Sequence, residues 1–467
     1  MRVTKPYHDL LLFIIMLGLS CPSIYAQVVA LPNKQQLAWQ RAEFGIIFHY
    51  DLHVFDRKAY QQQYNRIVPV PDIHIFQPQQ LDVEQWVLSA KLAGAKFALI
   101  TATHETGFAL YPSKVNPYNT SALGWKNGKE DLVGDFIKAC IKHGIKPGIY
   151  VGIRWNAYLG IHDFKAIGTG QQQIERQKYY NKMVEGMVQE LCTWYGPLFE
   201  IWFDGGASSP EKGAPNVLQI VKKYQPNCLF YHNDELAEAR WGGSESGTVH
   251  YPCWSMFPFP YTGAGESCPR AISTNDFLLL KTGDPDGTYF MPAMADAPLR
   301  GANGRHEWFW EPNDENSVFS LNHLVDMYQK SVGRNATLIL GVTPDTLGLV
   351  PQIDRRRLEE LGSEIKRQYG SPIKDLDPKQ ELIRFKKAKA VTQLMIEESL
   401  DQGQRIRAFH ITAKTKQGWQ TLFTGSSVGN KCIIQLKGPI RCTQIKLTID
   451  KAIGQPIIHT FNAYDTF

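Results

Sequence analysis

Outside its N-terminus this 467-residue chain has no apolar run long enough to cross a bilayer, since a spanning helix needs about 20 consecutive apolar residues. Charge of one sign is missing as well. Lys and Arg number 50 against 45 Asp and Glu, and no basic run interleaved with aromatics offers a nucleic-acid footprint. Cysteine is sparse: eight are present, seven of them after Ala26, and none forms a CxxC pair. Neither a disulfide framework nor a thiolate zinc site is indicated, though Cys253 and Cys268 could pair. The helical zinc motif HExxH is absent too, because His104-Glu105 has Phe108 where the second His belongs. No internal repeat or low-complexity tract occurs.

What is present begins with a basic start (Arg2, Lys5), an apolar stretch from Leu10 to Leu19 and a small-residue exit at Ala26. This reads as a signal peptide over residues 1–26, too short to be a membrane span, and implies a secreted or periplasmic protein. Cys21 follows Gly-Leu-Ser in the manner of a lipid-anchor site, but Leu19 suits that site poorly and cleavage near Ala26 fits better. The remaining length suits a large barrel with a smaller companion domain.

From about residue 35 to 370, short β-rich runs alternate with helical patterns, the signature of βα units around a parallel sheet. Strands are expected at 44–49, 97–102, 148–153, 198–203, 228–231, 288–291 and 337–342, with helices at 82–92, 131–143, 177–195 and 354–370. Seven strands are one short of a (β/α)8 barrel, and the stretch from Gly242 to Asp286 is too irregular for another to be placed in it. Beyond Gly370 the pattern changes to short alternating runs between Gly and Pro turns, which predicts a small antiparallel β-sandwich. The expected architecture is thus a signal peptide (1–26), a (β/α)8 TIM-like barrel (27–370) and a C-terminal β-sandwich (371–467).

In such a barrel the reactive groups stand at the C-terminal ends of the strands. Here those ends carry His49, then His104 and Glu105, then Arg154, Trp155 and Asn156, then Asp204. Asp204 is the sharpest, ending the apolar run Glu200-Ile201-Trp202-Phe203 before Gly205-Gly206, whose missing side chains let a ligand approach. A carboxylate so placed is a candidate nucleophile; it could also cap a turn or hold a metal. A retaining glycosidase needs a second carboxyl to act as acid and then base. Glu105, Asp234, Glu235, Glu245, Asp296, Glu307 and Glu311 all qualify by position, and the pattern alone does not choose among them.

The ordered set of segments Asp82 to Phe108, Leu110-Tyr111-Pro112-Ser113, Trp125-Lys126-Asn127-Gly128-Lys129, Tyr195-Gly196-Pro197 leading into Trp202-Phe203-Asp204-Gly205, Arg240 to Gly247 and Ser331 to Val350 resembles the glycoside hydrolase family 29 α-L-fucosidases. It is most similar to the subgroup acting on α-1,3/1,4-linked fucose. The resemblance implies Asp204 as nucleophile, Glu245 as acid/base, no metal or organic cofactor, and a carbohydrate as partner. It implies His49, His104, Trp155 and Trp241 as lining of the pocket for the terminal sugar, with Glu105 beside them.

Two departures stand out. Glu105 occupies a position where the family usually has His, and Met294 one where the subgroup has a carboxylate. A site built around sugar hydroxyls discriminates strongly when a polar partner changes. The sugar is therefore expected to be fucose or a relative such as α-L-galactose. A non-catalytic glycan-binding barrel is the competing reading, and a barrel hydrolase of other chemistry lacks a metal cluster or an activated Ser or Cys.

Overall fold

A computed structural model describes residues 29–56, 60–260, 276–305, 307–375 and 381–465. The expected signal peptide and Cys268 lie outside them. Eight parallel strands form one curled sheet: β1 (Phe44–Phe48), β2 (Phe97–Thr103), β3 (Lys146–Val151), β4 (Glu200–Ala207), β5 (Leu229–Asn233), β6 (Arg240–Trp241), β7 (Ala293–Pro298) and β8 (Ala336–Val342). Their spatial order is β5-β4-β3-β2-β1-β8-β7-β6, a TIM-like barrel whose first and last strands meet at β1 and β8.

The strand count corrects the sequence reading at two places. The missing strand is β6, only two residues long and lacking an apolar run. The barrel strand expected at 288–291 is instead Ala293–Pro298, while Tyr289–Phe290 pairs antiparallel with Met256–Phe257 outside the barrel. No strand ladder joins β5 to β6 among the described residues. Glu238 bridges that seam: its backbone N–H donates to Phe230 O (3.3 Å) and its carboxylate accepts from Phe230 N (2.6 Å), with Lys222 Nζ at 2.9 Å.

Period-two alternation divides the barrel's apolar residues between two cores. Ile47, Phe97, Leu99, Trp202, Leu229, Met294 and Ile339 point inward and pack with Trp39. Ile46, Phe48, Ala98, Ile100, Ile149, Ile201 and Phe203 point outward against the helices. Helix α1 (Lys34–Ala42), started by an Asn33 capping box, closes the barrel floor, where Trp39 Nε1 donates to Glu200 (2.8 Å).

The outer helices are α2 (Val83–Leu92), α3 (Leu132–His143), α4 (Gly170–Trp194), α5 (Val217–Tyr224), α7 (Leu321–Ser331) and α8 (Gln352–Tyr369), while α6 (Asp276–Thr282) lies at the barrel mouth. Asp82 and Asp131 cap α2 and α3 by accepting from Gln85 N and Gly134 N, as their sequence positions predict. None of the described helices is long and apolar enough to cross a membrane.

After α8 the chain enters an antiparallel sheet of β9 (Lys374–Asp375), β10 (Leu382–Glu398), β11 (Ile406–Thr415), β12 (Gly418–Gly425), β13 (Cys432–Ala452) and β14 (Ile458–Tyr464). Its strand order is β9-β14-β10-β13-β11-β12, with register shifts along β10 and β13, around a separate core that includes Ile383, Leu394, Phe409, Ile445 and Phe461. Cys253 is a buried free thiol that accepts from Arg240 Nη2 at 3.3 Å.

Candidate active site

The alternation that fills the barrel also builds the pocket. Continuing the inward register upward by two residues turns Ile47 into His49, Trp202 into Asp204 and Met294 into Asp296. These polar side chains form the layer directly above the apolar plug. They line an inner chamber of about 50 Å³ together with His104, Glu105 and Glu245. Above it opens a cleft of about 430 Å³ walled by Arg66, Arg154 and Trp155 on one side and Trp241, Phe277 and Leu280 on another.

All seven site residues expected from the sequence therefore surround one cavity. His49 and His104 lie in the inner chamber, Trp155 and Trp241 in the outer cleft, and Glu105, Asp204 and Glu245 line both. Of the seven carboxyl candidates for acid/base, three face the cavity: Glu105, Glu245 and Asp296. The others hold protein groups. Asp234 pairs with Lys212, Glu235 accepts from Asn233, Glu307 from Asn303, and Glu311 from Arg305 and the Tyr60 backbone. Met294 lies in the apolar plug and not in the pocket lining, so its departure from the subgroup pattern alters the barrel interior, not the sugar's surroundings.

Asp204 stands on the cavity floor, open to the pocket but surrounded by protein on its other sides. Burial raises its carboxyl above the ordinary range, and Glu105 and Glu245 push the same way. The Tyr150 hydroxyl, donating to Oδ2 at 2.9 Å, and the charge of Arg66 oppose that rise. His104 stacks on Tyr150, with ring centroids 5.2 Å apart, and burial followed by the Arg66 charge pushes it down to about 3. His49 is likewise held well below its usual value by burial and by His104. Both imidazoles are neutral near pH 7.

Glu105 is gripped at both oxygens, by Tyr60 OH (2.6 Å) and Arg66 Nε (2.7 Å). Burial raises its carboxyl, and the Arg66 charge counters this. A reciprocal arrangement ties the other two acids. Trp241, from β6, donates Nε1 to Asp296 on β7 (2.8 Å), while Trp308, beyond β7, donates Nε1 to Glu245, beyond β6 (2.9 Å). Each segment's indole thus holds the other segment's carboxyl. Backbone bonds from Gly242 N to Met294 O (2.7 Å) and Gly247 N to Asp296 O (2.8 Å) lock the two together. Burial, and after it the nearness of Glu245, drive the Asp296 carboxyl well above the usual carboxylate range.

Tyr60, Arg66, Tyr150 and Trp308 are site residues that sequence patterns did not single out, and Asp296 stood only among the seven acid/base candidates. Tyr150 and Asp296 carry a usable signal, being inward positions near a strand end. Tyr60, Arg66 and Trp308 sit on irregular segments whose course only the fold reveals. Among the described residues no group of three His, Cys, Asp or Glu side chains is arranged to hold a metal ion.

Comparison with known proteins agrees with this geometry. Residues 24–255 match the alpha-L-fucosidase family model. A solved structure from Bacteroides thetaiotaomicron, provisionally assigned as an alpha-L-fucosidase, is 52% identical with a TM-score of 0.90, covering 94% of this chain and 99% of that one. The chain belongs to the alpha-L-fucosidase family. Alpha-L-fucosidase 1 of Arabidopsis thaliana is 28% identical over 94% of this chain and 88% of its own length. A Ruminococcus gnavus family 29 fucosidase solved with fucose shares the fold, with a TM-score of 0.78 at 23% identity over 95% of this chain and 96% of that one. As a family member the chain is a glycoside hydrolase of the α-L-fucosidase type, built on the barrel and antiparallel β-domain described above.

Proposed function

We propose that this enzyme removes a terminal α-L-fucose, or a sugar of the same stereochemical frame, with retention of configuration, using Asp204 as nucleophile and Glu245 as acid/base. The supporting observation is that these two carboxyls face one chamber, Asp204 accepting from the Tyr150 hydroxyl and Glu245 from the Trp308 indole. Tyr150 occupies Oδ2 of Asp204. Oδ1 accepts no hydrogen bond among the described residues and attacks the anomeric carbon. As the glycosidic bond breaks, Glu245 gives its proton to the departing oxygen. Glu245 then takes a proton from water, which attacks the same carbon, releases Asp204 and restores the original configuration. Neutral His49 and His104 donate to sugar hydroxyls without repelling the positive charge that develops on the ring. Among the described residues their Nδ1 atoms and the Trp202 indole N–H have no protein partner.

Glu105 bears on the choice of sugar. It is an acceptor where the family usually has an imidazole, and it suits a sugar presenting an additional hydroxyl, as α-L-galactose does relative to fucose. Action on α-1,3/1,4-linked branches and export directed by residues 1–26 belong to the same proposal.

Hydrolysis of para-nitrophenyl α-L-fucoside, its α-L-galactoside and a branched fucosylated oligosaccharide by wild type and Asp204→Asn tests it. Turnover in wild type, lost in the variant and leaving the product's anomeric configuration retained, is expected. Inversion overturns the mechanism. Absence of turnover on all three, with glycan binding unchanged by Asp204→Asn, favours the non-catalytic glycan-binding barrel.

A further inference from the structure

The outer cleft holds two guanidinium groups whose terminal nitrogens have no part in the glycosidase mechanism. Arg66 and Arg154 both line it beside Trp155, with their guanidinium carbons 4.6 and 5.6 Å from the indole centroid. Neither lines the inner chamber. Each is oriented through Nε, Arg66 by Glu105 (2.7 Å) and Arg154 by Asp163 (2.8 Å). Side-chain exposures of 25% and 23% leave the groups in contact with the cleft. Among the described residues, the terminal nitrogens of both carry no hydrogen bond to protein.

Gly205 fixes where this matters. It has φ +64°, and a Cβ there would lie 3.1 Å from Arg154 Nη1. A side chain there would press on Arg154 and would sit on left-handed backbone, so the glycine lets the guanidinium edge pass close to the residue that follows Asp204. A carboxylate at Nε and an aromatic face hold each guanidinium in place. The remaining N–H groups call for a ligand that only accepts. Carboxylate and sulfate oxygens match that edge in geometry and charge, whereas a neutral hydroxyl uses it less fully.

We infer that the outer cleft is a subsite for an anionic aglycone, a glycan residue that bears a carboxylate or sulfate next to the scissile bond and is read by Arg154 and Arg66 over Trp155. This rests on the proposed glycosidase reading for its orientation, with the terminal sugar seated over the inner chamber at Asp204 and the acidic residue toward Arg154.

The test compares three methyl disaccharides with the same terminal α-L-fucose, differing only at C6 of the second sugar: galactose, galacturonic acid and galactose 6-sulfate. Each is assayed with wild type, Arg154→Gln and Arg154→Lys. The readout is the ratio of kcat/KM for acidic over neutral substrate, which the fraction of folded protein does not alter. Wild type is expected to favour at least one acidic substrate by about tenfold, because charge-assisted hydrogen bonds are roughly twice as strong as neutral ones. The ratio should fall toward 1 in Arg154→Gln and shrink with added salt. Preference for the uronate alone or the sulfate alone identifies the source of the charge.

A wild-type ratio at or below 1, or a preference that survives Arg154→Gln, overturns the subsite. Failure of the glycosidase reading would look different, as no turnover of any disaccharide. In that case, calorimetric titration of methyl galacturonoside and methyl galactoside 6-sulfate into wild type and Arg154→Gln still decides. Binding that weakens in the variant supports the subsite, and equal or absent binding sinks it.

Discussion

Glu200 sits on the inward face of β4, four residues below Asp204, with its side chain fully buried at the barrel floor. Trp39 Nε1 is its one partner among the described residues, and Oε1 has none. Burial pushes this carboxyl from 4.5 up to about 8, with the Trp39 bond opposing. Because the folded value exceeds the unfolded one, the associated stability is fully present below about pH 4.5 and is lost as pH rises through about 8. The gap sets a ceiling of about 5 kcal/mol, of which about 2.5 kcal/mol falls between pH 5 and pH 7. Glu200→Gln keeps a carbonyl for Trp39 and removes the titration. Urea unfolding at both pH values, followed by tryptophan fluorescence, should show the variant losing about 2.5 kcal/mol less than wild type across that interval. Parallel losses in the two proteins would refute the reasoning and mean that Glu200 is not a buried proton carrier.

Two further outcomes concern the site. Tyr150→Phe removes the donor that favours ionised Asp204, so the acid limb of the kcat/KM profile should move to higher pH and its plateau fall roughly tenfold, the effect of losing a hydrogen bond to a charged group at about 1.5 kcal/mol; an unmoved limb would count against Asp204 as the ionised nucleophile. Trp308→Phe releases Glu245 from its indole, and should slow a fucoside with a poor sugar leaving group several-fold more than the activated para-nitrophenyl fucoside. Equal losses on the two would point to Trp308 acting on the sugar instead.

The barrel was legible in the sequence wherever strands carry β-branched or aromatic runs bounded by turns, as at β1 through β5 and β8. It was not legible at β6, where Arg240–Trp241 has no run to detect, nor at β7, whose Ala-Met-Ala-Asp-Ala-Pro lacks alternation because both of its faces are buried. Asp204 and His49 could be found because each follows an apolar run by one step of the inward register. Among seven carboxyls, Glu245 could not be separated on pattern alone. Its place in the cavity is held by the Trp308 indole 63 residues away, a contact set by how the β6 and β7 loops interlock. The Glu105 departure was visible, but its grip by Tyr60 and Arg66 depends on an irregular segment folding back over the strand ends.

The seam between β5 and β6 gives the barrel one stave that is not laced to its neighbour. Among the described residues seven junctions are fixed by strand register, while the eighth is spanned by the short connection that carries Glu238. Tyr231 and His232 stand on one lip of this gap and Trp241 on the other, and all three wall the cleft. The width of the opening is therefore set by a loop and one carboxylate, not by a ladder of backbone bonds. Insertions or exchanges there can widen or narrow the mouth while the floor that holds Asp204 keeps its shape, so the scaffold and the fit to a substrate can evolve at different rates.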